Sequence, residues 1–587
     1  MKKYLENQTN SKQYHFLYNK INKLDIKSVR KDKIAILSSF TLDQLREMLS
    51  VELFTRGRGS EIHFSGYNQY SQEILNEASD MYRFGPSIVI LAIRTEELFP
   101  DFHRVFNNLS SQQLGDEKQR IIDLFESLIQ SLKEKCDATI LINNFTQPQS
   151  LAAGIHDTQD LSGQIEWLRK LNSALVALSN IYSDTYIFDL DRSMQEFGLN
   201  NSSDPKMWYT ASIPYNKLFI RHIAINYAQY INSTHGRKKC LVLDLDNTLW
   251  GGIIGEDGIN NIVLGKTYPG NVFVDIQCIV KQYAQQGVIL AINSKNNEDD
   301  VKEVFENHPD MVLRWDDFAA TRINWKPKPQ NFVDLADEIN IGLDSMVFVD
   351  DNPFETQMVK NFFPEIEIVQ FGENPLENLT ILKSLEYFNL LSLTIEDLKK
   401  SEHYKTQAKR NRFKSSLDNM EDFYRGLKMK VEIQKCDEFA LRRVAQLTQK
   451  TNQFNLTTKR YKDGDIERFM KSKKNNVYYL SMKDKFGDSG ITGVIIIKEV
   501  VENWYIDTFL LSCRIIGRTV EHAFLSFLVN RAREKSVKRI IGEYIPTTKN
   551  ILVKNFYEKN GFLQADDGLW VFNTSLKIPF PDWIELN

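Results

Sequence analysis

The densest run of reactive side chains in the sequence is Cys240-Leu-Val-Leu-Asp244-Leu-Asp246-Asn247-Thr248-Leu249-Trp250-Gly251-Gly252. An apolar stretch of strand type delivers two carboxylates, two residues apart, into a loop. Strand alternation would send both side chains to one side, so the chain has to bend after the strand. In that geometry one carboxylate can attack phosphorus while the other gives a proton to the leaving group. Carboxylates packed together do not stay ionised without a counter-ion, and a hard cation such as Mg²⁺ is the natural one. Further along, Ser294 closes the apolar run Leu290-Ala-Ile-Asn-Ser294-Lys-Asn. The segment Asn324-Trp325-Lys326-Pro327-Lys328-Pro329 supplies lysines, and Val347-Phe-Val-Asp350-Asp351-Asn352 ends in two more acids.

The elements that must position these groups follow from pattern. Strands are expected at 239–244, 288–293 and 346–350, each ending in polar residues. In an open parallel sheet those ends form the ligand edge. Upstream, strand-like runs at 34–37, 87–92, 139–142 and 185–188 alternate with helical patterns, including 117–135 and 161–180. That alternation predicts another parallel sheet with helices on both faces. A charged helical linker is expected over 394–428, and a mixed α and β segment follows from 429. About 50 residues separate Asp244 from Ser294, and the loop after Ser294 is short, leaving no room for a large lid domain. An open site of that kind suits a partner that closes it.

The bulk numbers narrow the field. A chain of 587 residues is too long for one core. Its 42% hydrophobic and 26% charged residues are those of an ordinary globular protein, and its net charge of -4 offers no nucleic-acid footprint. Five cysteines, Cys136, Cys240, Cys278, Cys436 and Cys513, stand singly, without zinc or disulfide spacing. No apolar run approaches the roughly 20 residues of a membrane span. No signal peptide is evident at the start, and the expectation is a cytoplasmic protein without nucleic-acid or membrane partners.

The four acidic, hydroxyl and lysine motifs, in this order, resemble those of the haloacid dehalogenase (HAD) superfamily, whose first motif is DxDxT. The resemblance implies Asp244 as nucleophile and Asp246 as general acid/base, with the Asp246 carbonyl on Mg²⁺. It implies Ser294 as the hydroxyl that holds the phosphoryl group, and Asp350 with Asp351 as metal ligands beside Asp244. The motif lysine is Lys328 or Lys326, with Lys328 favoured because it leads directly into a helix over 330–339.

Downstream, Arg514-Ile-Ile-Gly517-Arg518-Thr519 is similar to the pyrophosphate loop of GNAT-type acyltransferases, with Thr519 where Gly or Ala is usual. That likeness implies coenzyme A or phosphopantetheine bound at Arg514, Gly517, Arg518 and Thr519. Asn555-Phe-Tyr557-Glu-Lys-Asn-Gly561-Phe562 resembles the stretch whose tyrosine, here Tyr557, protonates a leaving thiolate. Ser38-Ser39 after the first strand resembles the start of an SGNH-type hydrolase, but Trp208 stands at the expected histidine position, so a non-catalytic role is favoured. His156 and His222 read as ordinary packed residues.

Taken over nearly the whole chain, these segments, with DLDNTLWGG, Asn452-Gln-Phe-Asn-Leu-Thr457 and LLSCRIIGR, resemble the FkbH-like family, HAD subfamily IIIC. The implied fold is α/β: two parallel-sheet Rossmann-like domains, SGNH-like over 1–233 and HAD with a minimal cap over 234–393. The linker 394–428 and an α+β GNAT-like domain over 429–587 complete it. The implied function is removal of phosphate from an acyl-phosphate such as 1,3-bisphosphoglycerate, with transfer of the glyceryl group to an acyl carrier protein. Leu245, not a thiol, lies between the two aspartates, so transfer would be direct. A simple HAD phosphatase, or an acetyltransferase with a degenerate HAD domain, are the alternatives.

Overall fold

The computed structural model describes residues 11–23, 31–100, 102–393, 406, 409, 410, 413, 414, 417, 419–472, 474–547, 549–566 and 568–587. Most of the linker expected over 394–428 lies outside the described residues; within it the helix Met420–Leu427 is described. The chain divides into two compact units, Met1–Arg237 with Glu386–Ser392, and Lys238–Leu385 with Leu393–Asn587. Residues 386–392, placed by the sequence with the second domain, pack into the first unit. Glu386 there accepts from Arg56 Nε and Nη2, each at 2.8 Å.

The first unit carries β1 (Lys31–Ser38), β2 (Gly59–Phe64), β3 (Ile88–Ala92), β4 (Thr139–Asn143) and β5 (Thr185–Phe188). All pair in parallel, in the order β2-β1-β3-β4-β5. On β1, Ile34 and Ile36 join one apolar core while Ala35 and Leu37 join the other. Helices cover both faces, which is why the strand reads as a continuous apolar run. The long helix Ser111–Lys135 starts from a Ser110 capping box with Gln113 and buries Leu114, Ile121, Phe125, Leu128, Ile129 and Leu132. Edge strand β2 escapes sequence reading because only Ile62 of its six residues is buried.

Near the start of β1, Asp32 is buried and held by Arg58 at 2.6 and 2.7 Å and by His235 at 3.2 Å. Burial opposes ionisation of Asp32, but Arg58 and His235 outweigh it and bring its pKa down to about 2. The folded pKa lies below the unfolded one, so this stabilisation is present above about pH 4 and is lost as pH falls towards 2. Asp32→Asn is expected to cost about 3 kcal/mol at neutral pH by leaving Arg58 without its counter-charge. Chemical denaturation at several pH values should show the gap between wild type and variant closing on the acid side.

The second sheet is built from β6 (Cys240–Leu243), β7 (Ile289–Ser294), β8 (Phe318–Ile323), β9 (Met346–Asp350) and β10 (Glu367–Gln370). The order is β10-β9-β6-β7-β8, again wholly parallel, so every carboxyl end lies along one edge. Strand β6 is central and wholly buried. Between Asp244 and the helix Gly270–Gln285 there is only a flap. It consists of reciprocal backbone hydrogen bonds between Gly251 and Val263 and the one-turn helix Ile254–Asp257.

The C-terminal sheet is mixed. Its strands are β11 (Met429–Lys435), β12 (Phe454–Asn455), β13 (Asn475–Asp484), β14 (Gly487–Val500), β15 (Asn503–Leu511), β16 (Arg539–Gly542), β17 (Leu563–Gln564), β18 (Trp570–Asn573) and β19 (Ile584–Leu586). Strands β11, β13, β14 and β15 pair antiparallel, whereas β15 and β16 run parallel over Asn503–Ile506 only. Beyond Ile506 the short β12 takes the edge of β15, pairing Phe454 with Leu511 and Asn455 with Leu510. On its other side Ile545 N–H donates to Leu456 C=O at 2.8 Å. The architecture is therefore α/β, two parallel sheets followed by one mixed sheet.

Candidate active site

Asp244 follows β6 directly, and its N–H donates to Val349 C=O of β9 at 3.0 Å, so the tips of these adjacent strands are tied together. The chain then turns sharply. Asn247 adopts φ of 52°, a left-handed conformation that asparagine tolerates, and its Oδ1 accepts from Gly252 N–H at 3.0 Å. The bend expected after the strand is made here.

Carboxylate oxygens of Asp244, Asp350 and Asp351 lie within 4.8 Å of one another. Lys328 Nζ reaches Asp350 Oδ2 at 2.5 Å and Asp244 Oδ1 at 3.1 Å. It is the first residue of the helix Lys328–Ile339 and is 2% exposed, whereas Lys326 is exposed. Burial alone would lower the Lys328 pKa, but Asp244 and Asp350 hold it above its ordinary value. Asp350 is pushed up, by burial first and by Asp244 second, against the pull of Lys328; Asp351 is raised by the same two causes. One lysine does not neutralise three clustered acids. The all-oxygen donor set with its surplus negative charge fits a hard divalent cation. The hydroxyl of Thr248, wholly buried within the same motif, meets no hydrogen-bond partner among the described residues.

Asp246 does not place its side chain in that cluster. Its Oδ1 accepts from Trp250 Nε1 at 2.9 Å and from Ile254 N–H at 3.1 Å, and its Oδ2 from Asn296 at 3.1 Å. Burial nevertheless raises its pKa, against these three bonds. Its side chain thus stands outside the acidic cluster of Asp244, Asp350 and Asp351. The Asn296 amide also donates to Ser294 Oγ at 3.1 Å, so one side chain spans Asp246 and the expected phosphoryl-holding hydroxyl. Asn293 donates to Lys328 C=O at 3.1 Å and accepts from Asn331 at 3.0 Å, fixing the helix start to the end of β7. Asn293, Asn296, Asn331 and Trp250 were not singled out by the sequence. The one available signal is asparagine interrupting an apolar strand, as Asn293 does in β7, because an amide buried there has to find hydrogen-bond partners.

In the C-terminal part the expected cofactor residues lie in the turn between β15 and the helix Val520–Glu534. Arg514 lies in the turn Cys513–Ile515, and Gly517 has φ of 78°. Arg518 is turned inward: it is 3% exposed and its Nη1 pairs with Asp484, itself bound by Arg410, because a buried carboxylate requires counter-charge. That guanidinium is buried, and its Nη2 donates to the Arg514 carbonyl, tying the 514–518 turn together. Thr519 precedes the helix Val520–Glu534 with φ of 61°, and its hydroxyl accepts from Trp583 Nε1 at 2.8 Å. Tyr557 is 1% exposed among Phe556, Phe562 and Trp570, and burial pushes its hydroxyl well above the usual range.

Residues 33–231 match the family model described as FkbH, N-terminal domain. The fold is similar to the N-terminal part of the protein BF1531 from Bacteroides fragilis, which contains a phosphatase domain and was solved with Mg. Identity is 31%, over 64% of this chain and 98% of that one, with a TM-score of 0.57. The chain belongs to the FkbH-like family. This FkbH-like protein thus carries a HAD-like phosphatase domain, built on β6 to β10. Its C-terminal part is similar to the ribosomal-protein-S18-alanine N-acetyltransferase from Escherichia coli, at 13% identity over 25% of this chain and 95% of that one, TM-score 0.21. Rv2747 from Mycobacterium tuberculosis, solved with CoA and NLQ, is similar at 13% over 23% and 72%, TM-score 0.19. No curated protein matches the chain significantly. Among the described residues, no helix of the FkbH-like protein is long and apolar enough to cross a membrane.

Proposed function

We propose that this FkbH-like protein dephosphorylates an acyl-phosphate of the 1,3-bisphosphoglycerate type and passes the acyl group to the phosphopantetheine thiol of an acyl carrier protein. The observation that carries the phosphoryl chemistry is the convergence of Asp244, Asp350 and Asp351 around Lys328. Asp244 attacks the ester phosphorus, forming an aspartyl-phosphate, and the bond to the sugar-acid oxygen breaks. Asp246 gives that departing oxygen its proton, then takes one from the water that hydrolyses the aspartyl-phosphate. Lys328 offsets the charge that develops on the phosphoryl oxygens, and Ser294 holds one of them. Asp244, Asp350 and Asp351, with the Asp246 carbonyl, would hold Mg²⁺, which supplies charge neutralisation and orientation of the phosphoryl group.

The acyl step is direct in this reading. The carrier thiolate attacks the acyl carbon, a thioester forms, and the acyl-bound phosphate leaves. Cys240, the cysteine on the motif strand, is wholly buried and its thiol is pushed up by burial, so it cannot serve as an acyl relay.

The test is incubation of the full chain with Mg²⁺, 1,3-bisphosphoglycerate and a phosphopantetheinylated carrier. The carrier should gain the mass of one glyceryl group, together with phosphate release. Phosphate release without any mass gain would instead leave a simple phosphatase, the alternative that the inward-facing Arg518 and the enclosed Tyr557 hydroxyl favour.

A further inference from the structure

We propose that the first unit holds a second ligand site, a cavity at the carboxyl edge of its parallel sheet that takes a small hydroxylated carboxylate on Arg94 and Tyr215. The strand order β2-β1-β3-β4-β5 changes direction between β1 and β3. Loops leave such a point on opposite sides, and the cavity opens beside it, against the loops after β3 and β4. The two strand ends are joined across it: Ser39 N–H donates to Ala92 C=O at 3.1 Å, and Ser39 Oγ accepts from Arg94 N–H at 3.0 Å. The cavity measures about 250 Å³, and its walls come from the loop after β3, the loop after β4 and the segment around Trp208 and Tyr215. A void of about 150 Å³ accommodates benzene, so this one has room for roughly ten non-hydrogen atoms.

Two donor-bearing side chains, Arg94 and Tyr215, line the wall. Glu96 holds Arg94 by Nε at 3.1 Å and Nη2 at 2.5 Å, and the guanidinium lies over the rings of Trp208 at 4.6 Å and Tyr215 at 5.9 Å. Its Nη1 meets no acceptor among the described residues. Tyr215 is 5% exposed, and its hydroxyl also has no partner among the described residues. Both groups line one cavity, so an acceptor entering it meets a guanidinium and a phenol together. A carboxylate satisfies both at once.

The remaining polar wall consists of uncharged groups, among them Gln147, Ser150 and Ser203, which match ligand hydroxyls. Glu96 is the other charged residue on the wall, and it disfavours a second negative charge, which selects a monocarboxylate over a phosphate or dicarboxylate. The site binds and does not hydrolyse. The Ser38 hydroxyl is locked to the backbone of Phe40, and Trp208 offers no base.

The test is calorimetry on the full chain carrying Asp244→Asn, in chelator so that the phosphatase site contributes nothing. The titrants are glycerate and threonate, each beside its reduced polyol. At least one acid should bind saturably with unit stoichiometry, its polyol should bind at least tenfold more weakly, and Tyr215→Phe should weaken the acid about tenfold. Tyr215→Phe in the wild-type background should leave phosphate release unchanged. The proposal is overturned if none of the acids binds, if a polyol binds as tightly as its acid, or if Tyr215→Phe, folded by circular dichroism, binds with unaltered affinity.

Discussion

Asp244→Asn is expected to lower the rate of phosphate release by about 10⁴-fold or more while leaving the protein folded. The amide keeps the size and shape of the carboxylate but cannot attack phosphorus. Lys328 loses its 3.1 Å partner yet keeps Asp350 at 2.5 Å, so no buried cation is stranded. Part of the upward push on Asp350 comes from Asp244, and removing that charge relieves it. Metal-free stability should therefore be unchanged or slightly higher, and the thermal shift produced by Mg²⁺ should shrink. Steady-state phosphate release and thermal denaturation, each with and without Mg²⁺, measure the two halves. An Asn variant that still turns over would end the nucleophile assignment.

Lys328→Met should also lose activity, but at a cost in stability. Methionine keeps most of the buried aliphatic volume, but the buried positive charge is gone from a site holding Asp244 and Asp350. Activity is expected to fall about 10²- to 10³-fold through lost stabilisation of phosphoryl charge. Metal-free stability should fall by about 3 kcal/mol at neutral pH, since two buried acids lose their counter-charge. The sign of the pH dependence is fixed by the raised folded pKa of Asp350. A carboxyl that holds its proton more tightly folded than unfolded makes stability fall as pH rises through that interval. Without Lys328 the interval widens. The deficit should therefore be largest near pH 8 and shrink towards about pH 5. Added Mg²⁺ should stabilise the variant more than the wild type. A flat pH profile in melting experiments would mean that Lys328 does not compensate these acids.

The strands that carry the acids were legible because a parallel sheet covered on both faces leaves unbroken apolar runs, and β6, β7 and β9 each end such a run in polar residues. Strand β8 was not. Its Ala-Ala-Thr-Arg centre has little strand character, and its pairing with β7 shifts register between Leu290 and Ala291. Choosing Lys328 over Lys326 rested on the start of a helix, and the structure places the buried lysine at that start. Nothing local marks Asn296 or Trp250 as partners of Asp246. Nor does a single Arg518 in a loop reveal that Asp484 will draw it inward.

The amino-acid sequence by itself determined which strand tips would carry carboxylates, hydroxyl and lysine, because burial and turn formation act on neighbouring residues. Only the tertiary structure decided which tips meet. Strands β6 and β9 are far apart in the chain yet adjacent in the sheet, an adjacency set by how helices cross over the sheet and pack. The same holds for the amides that aim Asp246 and Lys328, and for the cavity where Arg94 and Tyr215 face one another. Each joins segments whose separation along the chain says nothing about their separation in space.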